Sequence, residues 1–308
     1  FFMNLVITDS GLGGLSICAQ LMRLIKERAK STLPQLPVDD LHITYVNAVP
    51  ADERGYNFMS GRAEQLETFE KILLNTDKLF APDYVFVACG TLSVLLEKLL
   101  YPSDKAIKIE GIVTVGIKML LESLGQNSQP TALIFATPIT ISANTFQNML
   151  CQNGIAENRI IAQNCPNLAT QISNDPEGEL VEKHIRHWVQ KALQQLPENI
   201  KSPLIAFLGC THYGYRENLF KEAFNAEGYR NVTLLNPNYA AAEKLNKIVL
   251  NNGKSNLTEA KSISVNFVTP YAIPELENIT IPQLLHPISA ETADAFLNAR
   301  VCPELLNH

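Results

Sequence analysis

The chain has 308 residues, enough for one large domain or two ordinary ones, and 46% hydrophobic against 18% charged residues supplies material for a sizeable core. A net charge of −6 and a pI of about 5.6 argue against a nucleic-acid binder, which carries a basic patch. No apolar run is long enough to span a membrane.

In chain order the first element is a short apolar strand at 5–8. It runs into Asp9-Ser10-Gly11-Leu12-Gly13-Gly14-Leu15-Ser16 and then into a helix over 15–30. Further strand-like runs fall at 43–47, 84–88, 108–113, 132–136, 159–163, 204–208, 232–235 and 264–268. Helical stretches lie between them, at 62–79, 178–195 and 239–250 among others. Apolar residues in 65–80 recur every three and four positions, as an amphipathic helix requires. This β-α-β rhythm predicts an α/β fold with a mainly parallel sheet flanked by helices. In such sheets the reactive groups collect at the carboxyl ends of the strands.

Two strand ends are alike. The runs Tyr84-Val-Phe-Val-Ala-Cys89 and Leu204-Ile-Ala-Phe-Leu-Gly-Cys210 both pass from apolar residues through a small residue to a cysteine and then to small polar residues. A loose internal duplication follows, with one cysteine at the equivalent point of each half. Two lobes facing each other would set the two thiols across one cleft. A cysteine beside a helix N-terminus feels positive backbone dipoles, which favour the thiolate. The other four cysteines, Cys18, Cys151, Cys165 and Cys302, read as small apolar residues. The opening FFMNLVITDS lacks the features of a signal peptide, so a cytoplasmic chain with reduced thiols is expected. No cysteine pair has the spacing of a structural zinc site, and His184 with His187 lacks a third ligand.

The glycines after Asp9 do not fit a dinucleotide cradle. The third glycine position of that fingerprint holds Ser16, and Asp9 would repel a pyrophosphate. They read instead as a tight turn that lets a small ligand approach the backbone, with Asp9 facing a cation or a proton to be moved. A turn or helix-capping carboxylate is the plainer alternative. His212, two residues beyond Cys210, suits a proton donor or a thiolate partner, or equally a loop histidine.

Three motifs together, ITDSGLGGLS at 7–16, VACGTLS at 87–93 and LGCTHYG at 208–214, resemble those of glutamate racemase, in the cofactor-independent aspartate/glutamate racemase superfamily. The stretch Ala136-Thr137-Pro138-Ile139-Thr140 and the triplet Asn164-Cys165-Pro166 are also similar to family segments, so the resemblance spans roughly residues 5 to 250. It implies two similar lobes, one at 1–112 plus 232–308 and one at 113–231, with the active site in the cleft between them. It implies a racemisation that uses no cofactor and no metal. One cysteine thiolate removes the α-proton of an amino acid and the other cysteine, as a thiol, returns one to the opposite face. On this resemblance Cys89, Cys210, Asp9 and His212 are catalytic, with Asp9 tuning Cys89 and His212 tuning Cys210. Ser10, Gly11, Tyr56, Asn57, Gly90, Thr91, Thr137, Thr140 and Thr211 are expected to bind substrate. The partner is a small amino acid or dicarboxylate, not a nucleic acid or a membrane, and a homodimer stays open.

The chain departs from the family pattern at Gly90, where the family has Asn after the first cysteine. It departs again at Gly55-Tyr56-Asn57, which stands for P-Y-G after a longer loop at 48–54; Asn57 would supply the left-handed backbone that Gly favours. Two alternatives therefore remain beside glutamate racemisation: an isomerase of another small carboxylate, and a non-enzymatic descendant that binds a small acid. The tail beyond about residue 270 has no counterpart in the resemblance.

Overall fold

A computed structural model describes residues 2–29, 40–52, 55–96, 98–99, 108–125, 128–197, 202–251 and 262–307. The expected helix end at residue 30 and the last two positions of the expected loop at 48–54 lie outside the described residues. The chain forms two compact units, Phe1–Gly111 together with Asn238–His308, and Ile112–Pro237.

The first unit begins with β1 (Phe2–Asp9), α1 (Leu15–Ala29), β2 (Asp40–Asn47), α2 (Arg62–Phe80), β3 (Tyr84–Val87), α3 (Gly90–Leu96) and β4 (Lys108–Gly111). The second unit contains α4 (Ile112–Leu124), β5 (Thr131–Ala136), α5 (Pro138–Ser142), α6 (Thr145–Gln152), β6 (Ile160–Asn164), α7 (Leu168–Asn174), α8 (Glu179–Leu193), β7 (Leu204–Leu208), α9 (Glu217–Ala226) and β8 (Thr233–Leu235). The chain then returns through α10 (Pro237–Asn251), β9 (Ser262–Thr269), α11 (Glu275–Leu285), α12 (Ala290–Leu297) and β10 (Arg300–Val301).

The first sheet has the order β10-β9-β2-β1-β3-β4 and the second β6-β5-β7-β8. All pairings among the described residues are parallel. Parallel strands covered by helices on both faces need near-continuous apolar runs. That is what β1, β5 and β7 supply: β5 and β7 are buried throughout, and β1 from Leu5 onward. Four consecutive strands of the first sheet, β2-β1-β3-β4, follow the same order of appearance in the chain as β6-β5-β7-β8. The second unit therefore repeats the strand order of four of the six strands of the first.

Its core joins Leu133 and Phe135 of β5 to Ile185 and Val189 of α8 and to Phe220 and Phe224 of α9, all at most 1% exposed. Phe220 meets Phe135 edge-on at 5.4 Å, a geometry that aromatic pairs favour. In the first unit α1 packs with α11 and α12, and α2 with α3 and the closing turn Pro303–Leu305. The Asn75 side chain of α2 donates to the carbonyls of Leu305 and Asn307 at 3.2 and 2.8 Å, which ties down the end of the chain.

One expectation is corrected. The strand expected at 108–113 stops at Gly111, and Ile112 opens α4. Its β-branched residues line a helix with seven buried positions, and a helix apolar on that scale cannot be told from a strand by periodicity. The expected strand at 264–268 is β9, which pairs with β2 along seven residues, and in the tail beyond it α12 packs on α1 and β10 pairs with β9. Pro282 inside α11 and the two-residue length of β10 hide that pattern from a periodicity reading. No helix among the described residues is long and apolar enough to cross a membrane.

Phe220→Ala should cost about 3–5 kcal/mol, the usual loss for truncating a fully buried phenylalanine, read as a shift in the urea unfolding midpoint. A loss below about 1 kcal/mol would mean that the second unit is not organised around this cluster.

Candidate active site

Each unit places a cysteine at the same point of its sheet. In the first, β1 pairs with β3 with Thr8 opposite Val87, and the Ala88 N–H continues the ladder to the Thr8 carbonyl at 2.7 Å. In the second, β5 pairs with β7 with Phe135 opposite Leu208, and the Gly209 N–H reaches the Phe135 carbonyl at 2.7 Å. Cys89 and Cys210 are the next residues. The other neighbour matches too, since the Ala48 N–H donates to the Asp9 carbonyl and the Cys165 N–H to the Ala136 carbonyl. By this register Asp9 corresponds to Ala136, Ser10 to Thr137, and Cys89 to Cys210.

In the first unit the turn after β1 brings polar groups to Cys89. Asp9 is 1% exposed, and its Oδ1 accepts the Gly11 N–H at 3.1 Å, so the carboxylate also shapes the turn. The Tyr45 hydroxyl donates to the Gly11 carbonyl at 2.7 Å. Ser10 Oγ lies 3.0 Å from Cys89 Sγ. Gly14 allows α1 to start close in, because a Cβ there would stand 2.8 Å from both Ala88 Cβ and Asp9 Oδ2. Burial pushes the Cys89 thiol up to about 12, with the nearby Asp9 charge adding to the rise and hydrogen bonds from Ser10 and Leu92 opposing it. This corrects the expectation of a dipole-favoured thiolate: α3 does begin at Gly90, but loss of water outweighs its dipoles.

Gly90 and Thr91 open α3 and are buried. Tyr56 is 1% exposed in a 3₁₀ turn at Tyr56–Phe58, held by Gln65 Nε2 donating to its carbonyl at 3.1 Å. Its hydroxyl has no hydrogen-bond partner among the described residues, and burial followed by the neighbouring Cys89 holds its pKa above the ordinary tyrosine range. Asn57 is exposed and does not take the left-handed backbone expected of it, because a 3₁₀ turn is right-handed throughout. Asn47, which the sequence reading missed, ends β2 opposite Asp9; it is 5% exposed and its Oδ1 lacks a partner among the described residues.

In the second unit Cys210 leads into a 3₁₀ segment, Thr211–Arg216. Cys210 Sγ lies 3.9 Å from His212 Nδ1, a long contact suited to sulfur. His212 is 8% exposed, and burial lowers its pKa to about 4, so it meets Cys210 as a neutral imidazole. Thr211 is buried beside them. Thr137 caps α5, its Oγ1 standing 3.0 Å from Thr140 Oγ1, so these two hydroxyls serve the helix start as well as whatever binds there. Beneath the site the Tyr213 hydroxyl donates to the Cys165 carbonyl at 3.3 Å. The six cysteines form no disulfide. His184 is paired with Gln171 rather than placed for a metal, and no group of three or more metal-ligating side chains occurs among the described residues.

These two units, with matched thiols at the carboxyl ends of equivalent strands, are the arrangement of a racemase-like α/β protein. No family model matches the chain. Glutamate racemase of Dinoroseobacter shibae is 30% identical over 240 residues, covering 73% of this chain and 77% of that protein. Glutamate racemase of Cereibacter sphaeroides is 28% identical over 242 residues, covering 73% and 78%. In structure, glutamate racemase of Bacillus anthracis aligns over 97% of both chains with a TM-score of 0.68 at 21% identity. That of Francisella tularensis, solved with D-glutamate, aligns over 97% of both with a TM-score of 0.65 at 19% identity. The chain belongs to the glutamate racemase family. The structural match extends past residue 250, so the tail that had no counterpart in the sequence resemblance is part of the shared fold.

His212 gives the second unit an acid-sensitive element. Its folded pKa of about 4 lies below the unfolded value of about 6.5, so between them the unfolded chain takes up a proton that the folded one does not. Stability therefore falls as pH drops through that window, by about 3 kcal/mol in all, and is unaffected above it. His212→Asn should flatten this stretch of a urea-midpoint-against-pH curve; an unchanged slope would mean that the histidine is not held neutral.

Proposed function

We propose that the chain interconverts L- and D-glutamate without a cofactor, with Cys89 and Cys210 as its two proton-transfer groups. The observation that carries the reading is the matched register that puts each cysteine immediately beyond the same ladder hydrogen bond in its own unit. The relatives named glutamate racemase, and the Francisella structure with D-glutamate, support the substrate.

The chemistry asks for a base on one face of the α-carbon and an acid on the other. The α-proton is weakly acidic, so the base must be strong and the carbanion-like charge stabilised away from water. A thiol with a raised pKa makes a strong base once ionised, but it needs help to ionise. The substrate ammonium supplies that help when it settles against Asp9: it offsets the repulsion that Asp9 adds to the effect of burial, and the Cys89 proton passes to solvent as the substrate enters. Neutral His212 then serves Cys210 as a hydrogen-bond partner and proton carrier rather than as a fixed charge. Ser10, Gly11, Tyr56, Thr91, Thr137, Thr140 and Thr211 surround the carboxylates and ammonium in this reading, and Gly90 leaves room where the family has a side chain. Asn57 takes no part through its side chain. The substrate is a small amino acid, and the reading places the protein in the cytoplasm.

The test is racemisation of glutamate followed by circular dichroism, with α-proton loss in D₂O read by NMR. Wild type should convert both enantiomers. Cys89→Ala and Cys210→Ala should each lower racemisation by about 100-fold or more. Full activity in either variant would remove that cysteine from the mechanism. A wild type inert toward glutamate but active on another small amino acid would move the substrate and leave the thiols in place.

A further inference from the structure

The turn from Ser10 to Gly14 sets where Asp9 and Ser10 stand against Cys89. Two of its ties are local to β1 and β2: the Gly11 N–H to Asp9 and the Tyr45 hydroxyl to the Gly11 carbonyl. The third comes from much further along the chain. Ser16, in the first turn of α1, donates its hydroxyl proton to the Gly13 carbonyl at 2.9 Å, and its N–H reaches the same oxygen at 3.1 Å. The Ser16 oxygen in turn accepts from Asn238 Nδ2 at 2.8 Å, across 222 residues of sequence. Ser16 is 6% exposed and Asn238 2%, so water cannot substitute freely for either partner.

A hydroxyl has one proton to give and lone pairs to receive. An amide N–H aimed at the Ser16 oxygen fills a lone-pair direction and leaves the proton one good acceptor, the Gly13 carbonyl. Asn238 is also the first residue of the first unit after the chain comes back from the second. Pro237, ahead of it, restricts the backbone at that return. The point of re-entry is thus hydrogen-bonded to the turn that carries Asp9 and Ser10.

We propose that Ser16 and Asn238 are positioning residues for Cys89: Asn238 directs the Ser16 hydroxyl onto the Gly13 carbonyl, and this bond fixes the turn that sets Ser10 against the thiol. The proposal rests on the reading of Cys89 as a proton-transfer group, and neither residue touches the reacting atoms.

The experiment compares Ser16→Thr with Ser16→Val, which share a shape and differ in the hydroxyl, and adds Asn238→Asp, which keeps the shape and loses the donor. Two quantities are read: glutamate racemisation, and the rate of Cys89 alkylation by iodoacetamide across mildly alkaline pH, with Cys210 in the same sample as the control. Ser16→Thr should match wild type in both. Ser16→Val and Asn238→Asp should lower kcat by about tenfold or more with a smaller change in KM, as a misplaced catalytic group does. A loosened turn also lets water reach the thiol, so both should alkylate Cys89 about threefold faster or more, with Cys210 unchanged. Ser16→Val behaving like Ser16→Thr would overturn the proposal. So would a loss of melting temperature with the Cys89 profile unmoved, which marks a purely structural bond. If wild type does not racemise glutamate, the functional reading fails on its own and the alkylation comparison still decides this one.

Discussion

Asp9 and Cys89 are buried together at the carboxyl edge of the first sheet, 1% and 7% exposed, where a carboxylate and a thiolate repel one another with little water to screen them. Neither can be moved away, since β1 and β3 are adjacent strands and the Ala88 N–H locks their ends at the Thr8 carbonyl. The glycine turn follows from that constraint. Gly14 has no Cβ because one would strike Asp9 and Ala88, and Gly11 takes the Asp9 carboxylate on its N–H and the Tyr45 hydroxyl on its carbonyl. This arrangement holds a carboxylate beside a thiol kept neutral mainly by burial, which the proposed mechanism has ionise when the substrate ammonium arrives.

The second unit repeats the scaffold without repeating the electrostatics. Where Asp9 stands in the first, the register places Ala136, and where Ser10 stands it places Thr137. Cys210 has the neutral imidazole of His212 beside it. One scaffold thus carries two thiols with different neighbours. In the proposed two-thiol racemisation the acid and base roles exchange with the hand of the substrate, so each thiol has to be able to take either protonation state.

Much of this was legible in the sequence because it is local. Strands written as unbroken apolar runs, and small residues leading into Cys89 and Cys210, announce parallel sheets with reactive carboxyl ends. The glycine turn excluded a nucleotide through Ser16 and Asp9. What stayed hidden depends on partners distant in the chain or on burial. The Asn238 bond to Ser16 joins residues that no short pattern connects. Asn47 reads as an ordinary strand end until Asp9 is found opposite it. The dipole argument for a Cys89 thiolate had the right helix and the wrong magnitude, because motif spacing says nothing about how completely water is excluded. Asn57 as a left-handed stand-in failed for a related reason: the longer loop ahead of it ends in a 3₁₀ turn that asks nothing unusual of its backbone.

The central claim is that Cys89 rests as a neutral thiol held by burial and Asp9, and ionises when the ammonium of the substrate arrives. Labelling cysteine at ¹³Cβ, assigning Cys89 by comparison with Cys89→Ala, and titrating it by NMR with and without D-glutamate tests this directly. The account predicts a midpoint pushed toward about 12 in the free protein, and a lower one with D-glutamate bound. A free-protein midpoint at or below 9.0, the ordinary thiol value, and unmoved by D-glutamate would contradict it.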